Sequence, residues 1–155
     1  MVPVITMEVL VSQYFEADGE TLWNPSNGPG ILFARTARAM ESIAGVPCGI
    51  GVGRWGPGDP DCHGIDLPVF TAFTDALVRR YRSSNHVILR SLMEGFVATA
   101  IVMVQRAGGT VAALTEEPGE NTRDVQVDLD GPPARRPDPD RLTGLAREHS
   151  AAMPA

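Results

Sequence analysis

Lysine is missing altogether. All 13 basic residues are arginine, set against 19 acidic ones, for a formal charge of −6 and a pI of about 5.0. That balance argues against a nucleic-acid partner and against an anionic membrane surface. It also removes one nucleotide site. Gly49–Gly58 is as rich in glycine as a phosphate-cradling loop, but the chain cannot supply the Gly-Lys-Ser/Thr ending such a loop needs. With so much Ala, Gly, Pro and Val, the all-arginine usage reads as GC-rich coding bias.

Cysteine is scarce, with Cys48 and Cys62 only. No basic stretch followed by an apolar core and a small-residue cleavage site opens the chain, so no signal peptide is expected, a cytoplasmic location is the default, and both thiols are expected to be reduced. Cys48, Cys62 and His63 with Asp59 or Asp61 are the nearest approach to a zinc set, but their spacing is not that of paired knuckles. A disulfide across the same loop is the other reading of the two cysteines, and two inert thiols the favoured one. No metal and no cofactor are expected. A nucleophile needs a base and an orienting group, and the adjacency of Cys62 and His63 does not build that arrangement. There is no Gly-x-Ser-x-Gly elbow and no calcium-loop spacing among the acidic residues. The strongest apolar run, Phe96–Val104, is far short of the ~20 residues that cross a bilayer.

The stretch around which the chain is organised is Asp66–Gly109, which reads as two helices packed as a hairpin. Asp66 is an N-cap with Pro68 in the first turn, and Phe70, Phe73, Leu77 and Tyr81 make one apolar stripe. Ser83-Ser84-Asn85 interrupts, and any of the three could cap the second helix. That helix runs to Arg106 and stops at Gly108-Gly109. Its apolar positions, from Val87, Ile88 and Leu92 through Phe96 to Val104, cover more than one stripe, so it is expected to be central and touched on two sides. Gly95, a poor helix former in mid-helix, is expected where another backbone comes close.

Upstream, Met1–Thr6 reads as an apolar leader, with Met7 an equal choice of start. Met7, Val9, Val11 and Phe15 alternate with Glu8, Ser12 and Glu16, the period of a strand. Asp18-Gly19 marks a hairpin. A two-residue turn there pairs Phe15 with Leu22 and Tyr14 with Trp23, putting those two aromatics on one face. The cluster Asn24–Gly30 then feeds a helix from Pro29 to Ala44. Val46–Gly64 reads as a long loop with Trp55 at its tip. Thr110–Leu114 and Arg123–Leu129 read as short strands. Residues 131–155 read as a disordered tail, with at most a weak helical turn near Leu142–His149.

These pieces imply one α+β domain over residues 1–130, three helices on a small antiparallel sheet, followed by that tail. The segments Ser12-Gln-Tyr-Phe, Thr21-Leu-Trp-Asn-Pro-Ser-Asn-Gly, Glu94-Gly-Phe-Val-Ala-Thr, Arg106-Ala-Gly and Asp124-Val-Gln-Val resemble a small uncharacterised family of GC-rich Gram-positive bacteria. That family is a domain of unknown function, so the resemblance implies no activity and no catalytic residue. A more distant analogy is to the helical-hairpin proteins of type VII secretion, whose Trp-x-Gly turn is broken here by Trp55-Gly56-Pro57.

A fold signature without a chemical constellation leads to a non-catalytic protein-interaction module, of accessory or immunity type, with an unidentified protein partner. The sequence leaves its oligomeric state open. The expected contact site is Tyr14 and Trp23 with Asn24, Pro25, Ser26 and Asn27. The equal alternative for Trp23 is a place in the core. The runner-up function is a small-molecule binder or an enzyme with its pocket near residues 46–64, where Trp55, Cys62 and His63 lie.

Overall fold

The computed structural model describes residues 12–53, 56–120, 124, 126 and 138–155. Two short strands, β1 (Tyr14–Ala17) and β2 (Glu20–Trp23), form the hairpin expected at Asp18-Gly19. Both turn residues have positive φ, 50° and 82°, the left-handed pair that a tight hairpin turn requires. Helix α1 (Asn27–Ala44) follows and ends on left-handed Gly45. Strands β3 (Ile50–Val52) and β4 (Cys62–Ile65) complete a four-stranded sheet of order β2-β1-β4-β3. Then come α2 (Leu67–Ser83), α3 (Val87–Arg106), a short 3-10 turn at Ala112–Leu114, and α4 (Arg141–Ala152).

The α+β class holds, with four helices among the described residues and a mixed sheet. The two sheet strands beyond the first hairpin come from the segment read as a loop, not from the late sequence. Thr110–Leu114 carries the 3-10 turn instead of a strand, and of Arg123–Leu129 only Asp124 and Gln126 are described. β4 lies parallel to β1, a pairing that needs a crossover, and α1 sits in that crossover. Glycine is why β3 and β4 escape a periodicity reading. A Cβ at Gly64 would stand 2.5 Å from the Val52 carbonyl oxygen, and one at Gly53 2.3 Å from Cys62 Sγ. The strands approach so closely that side chains are excluded, and with them the alternating pattern.

The helical hairpin forms as its sequence requires. Asp66 accepts a hydrogen bond from the Val69 N–H at 3.4 Å, with Pro68 in the first turn. The cap of α3 is His86, whose Nδ1 accepts from the Leu89 N–H at 3.3 Å, one residue past the Ser83–Asn85 break. Ser84 and Asn85 instead bind the backbone of Asp124 and Gln126. Gly108 supplies the left-handed exit with φ 79°. From Val97 to Val104 every residue of α3 is buried, as are Phe70, Phe73, Leu77 and Tyr81 of α2. Among the described residues α3 is the one helix long and apolar enough to cross a membrane, with a mean hydropathy of 1.9. Here that apolarity is taken up by packing against α1, α2 and α4.

The reading of residues 131–155 as a disordered tail is corrected over its described part. Residues 131–137 lie outside the described residues, but Arg141–Ala152 is helical and packs along α3. Leu142 and Ala146, one turn apart, are buried, with Met153 beyond the helix end. Arg106 holds the far end. Its guanidinium donates to the carbonyls of Met153 (2.7 Å) and Ser150 (3.1 Å) in the C-terminal segment and to Leu22 of β2 (2.8 Å). A cation placed on the last carbonyls of a helix is favoured by the helix dipole. At the other end Arg141 pairs with Glu94 at 2.8 Å, and Glu94 also accepts from the Tyr81 hydroxyl at 3.0 Å. Truncating the buried Leu142 to alanine should therefore cost about 2–5 kcal/mol, the usual range for a core leucine. Urea titration measures it, and a loss near zero would mean that α4 does not rest on the core.

Candidate functional site

The hairpin register decides the fate of the expected contact site. A shift between Phe15 and Glu16 sets Phe15, not Tyr14, opposite Trp23. Trp23 then stacks on Phe15 at 5.5 Å and meets Phe33 of α1 edge-on at 5.5 Å, leaving it 8% exposed. It belongs to the core, as its alternative reading had it. Tyr14, 41% exposed, points to the other side of the sheet, so the two aromatics share no face. Asn24 sits at the corner where β2 leaves the sheet. Its N–H donates to the Pro154 carbonyl at 3.0 Å, and its Oδ1 is buried with no partner.

Asn27 enters a buried polar network instead. Gln13, almost fully buried, donates from Nε2 to Asn27 Oδ1 at 2.9 Å and to Asp61 Oδ1 at 2.8 Å. Those two acceptors fix the amide orientation, so Gln13 Oε1 faces His63 Nε2 at 2.7 Å and that nitrogen carries the proton. The ring of His63 stacks on Phe15 at 4.7 Å. Gly30 makes room for the network, since a Cβ there would lie 2.5 Å from Gln13 Cβ. Burial, and then the Arg38 guanidinium, push His63 below the usual histidine pKa, while Asp61 and Asp59 oppose them.

Cys62 lies in β4 and Cys48 just before β3, both buried and not joined by a disulfide. Burial raises the Cys48 thiol, the opposite of what activates a nucleophile. Among the described residues no group of three or more His, Cys, Asp or Glu stands close enough to hold a metal ion. Trp55 lies outside the described residues. The 46–66 segment does border an open hollow of about 660 Å³, lined by Glu16, Asp18, Glu41, Cys48 and Asp66 among others.

The larger hollow is apolar and lies elsewhere. A groove of about 680 Å³ runs over α3 between α1 and the C-terminal segment. Its floor is Gly95, Phe96 and Thr99, with Leu92 at its edge. Leu32, Phe33 and Thr36 form one wall, and His149, Ala152 and Met153 the other. Trp23, Pro25, Ser26 and Pro154 also line it, where β2 turns into α1. Two expectations are corrected here. Phe96 is only partly buried, stacked on Phe33 at 4.7 Å. Gly95 has no backbone against it, since a Cβ there would find nothing within 4 Å. The glycine leaves a hole in the groove floor. Leucines flank that hole, Leu32 at 67% and Leu92 at 71% exposure, with Ile88 a turn further along α3 at 61%.

The groove holds one polar pair. Thr99 Oγ1 donates to the Gly95 carbonyl at 3.1 Å, which uses its only proton. His149 Nδ1–H then donates to Thr99 Oγ1 at 2.9 Å, leaving the Nε2 lone pair available. Sequence reasoning placed Trp23, Pro25 and Ser26 at a contact site, and all three line this groove. It missed the rest, because Leu32, Leu92 and Phe96 look like any other core residue at helical spacing.

Fold and groove define an α+β protein with an open apolar cleft. The chain belongs to a family of unknown function, DUF6086, whose model matches residues 11–155. No curated relative and no solved structure matches the chain. The segments Thr21–Gly28 and Glu94–Thr99, which carry the family resemblance, meet at the groove through Trp23, Pro25 and Ser26 on one side and Gly95, Phe96 and Thr99 on the other.

The depressed His63 value has a consequence for acid stability. A histidine harder to protonate folded than unfolded leaves stability intact above its ordinary value of 6.5, and stability is lost as pH falls below it towards the folded value. In NMR titration the His63 ring should titrate below 6.5. Melting should fall over the same window. A His63 midpoint above 6.5 would contradict the burial argument.

Proposed function

We propose that the chain is a non-catalytic protein-interaction module that receives an apolar segment of a polypeptide in the groove over α3. The observation that carries this reading is the exposure of Leu32 and Leu92 on either side of a 680 Å³ apolar groove. Isolated surface leucines are ordinary, but large aliphatic side chains that rim a concave apolar surface are typical of binding grooves. The partly buried Phe96 offers an aromatic anchor at the floor. The reading keeps the class of function expected from sequence and moves the centre of the contact surface from Tyr14 to the groove over α3, which Trp23, Pro25 and Ser26 also line.

A second reading is a small-molecule site. The Thr99–His149 pair favours it, because a few convergent polar groups in an apolar cavity are the usual make-up of a ligand pocket. It would place the pocket over α3 and not beside residues 46–64. A ligand at 100 times its Kd adds about 2.7 kcal/mol of stability, which thermal-shift screening of apolar compounds with one polar head would register.

The main test uses Leu32→Asp and Leu92→Asp in pull-downs from the native host. Both side chains are exposed, so each variant should melt close to the parent, within about 0.5 kcal/mol in stability. Each should nevertheless lose partner capture at least tenfold. Capture unchanged in both variants would remove the groove from the interaction.

A further inference from the structure

We infer that the groove over α3 is a seat for the chain's own N-terminal segment, Met1–Val11, which an outside polypeptide has to displace. This rests on the groove being a contact surface for an apolar polypeptide, and it names the first occupant. Connectivity is the observation that carries it. Ser12 forms an isolated antiparallel bridge with Ser26, and the Gln13 N–H donates to the Pro25 carbonyl at 2.9 Å. Pro25 and Ser26 both line the groove. The chain before Ser12 therefore starts out from the groove's lip. Direction fits as well. The same antiparallel register, carried one step back from Ser12, would bring Val11 to Asn27, the first residue of α1. From there Pro29, Leu32 and Thr36 of that helix continue along the groove wall.

The chemistry of the segment matches the surface. Its sequence, Met-Val-Pro-Val-Ile-Thr-Met-Glu-Val-Leu-Val, holds one charged side chain, Glu8. None of the residues lining the groove is Asp, Glu or Arg. Alternate side chains of an extended segment share a side. Met1, Pro3, Ile5, Met7, Val9 and Val11 would thus present an unbroken apolar edge to Leu32, Leu92 and Phe96, with Glu8 turned to solvent. Length suffices: Pro29 to Thr36 is roughly 10 Å of helix, and a segment of this size reaches about 36 Å when extended. Tethering then selects this occupant over a free peptide of the same composition. A segment joined at the lip meets the groove at an effective concentration of roughly 1 mM, which a free partner rarely attains.

Paramagnetic NMR on the full chain tests this. A nitroxide is attached at Val4→Cys, on the edge turned away from the groove, while the native Cys48 and Cys62 are buried. The methyl signals of Leu32 and Leu92 should be broadened, and that of Val52, exposed outside the groove, should stay sharp. Adding Met7→Asp and Val9→Asp to the labelled chain should restore both leucine signals, because a carboxylate resists entry into an apolar seat. The methyls of the buried Val97 and Val104 should keep their positions throughout, which checks the fold. Leucine signals left sharp by the label overturn the inference. So does broadening that survives both aspartates, since it would then report only the attachment at Ser12. If the inference failed while Leu92→Asp still lost host-protein capture, the groove would stand as a contact surface for an outside polypeptide. If capture were unchanged as well, both readings would fall.

Discussion

Burial of α3 is the constraint on which the rest of the structure depends. A twenty-residue helix with so little polar surface must be wrapped on several sides. α2 covers one side as the other arm of the hairpin. α1 covers a second, bringing the sheet with it through Phe33, which bridges Phe15 and Trp23 to Phe96. α4 covers a third, and Arg106 ties its far end to β2. The wrapping is complete only over Val97–Val104. Towards the N-terminus of α3 the walls separate, and Ile88, Leu92 and Gly95 are left facing the gap. The groove is what remains of α3 after its neighbours have covered the rest.

Polar clamps keep the walls of that groove in place. Gln13 joins β1 to the start of α1 through Asn27 and to β4 through Asp61 and His63. Arg106 joins α3, β2 and the C-terminal segment. Glu94 joins α3 to α2 through Tyr81 and to α4 through Arg141, and burial, followed by the Glu94 hydrogen bond, pushes the Tyr81 hydroxyl up to about 12. Gln13, Asn27, Glu94 and Arg106 all stand in the segments by which the chain resembles its family. Their contacts make them parts of the scaffold. A buried amide that loses its partners costs the full desolvation of the groups left unpaired, so the Gln13 clamp is sensitive to any change.

Residue pattern alone determined the helical hairpin, the Asp18-Gly19 turn, the α1 helix and the α+β class, because caps, glycine exits and apolar stripes are local signals. Helix α4 was almost silent: a short helix with two buried residues is too weakly apolar to announce itself, and it forms because α3 offers it a surface. β3 and β4 were hidden by the glycines that their close pairing requires. The hairpin register turned on a one-residue irregularity, which moved Trp23 from the face of Tyr14 to that of Phe15. The groove was beyond reach of the sequence altogether. Whether Leu92 is core or surface depends on how far α1 and α4 stand apart at that level, and helical spacing carries no information about that distance. Local chemistry could say which residues must be covered or turned; only the tertiary packing decided which apolar side chains were left without cover.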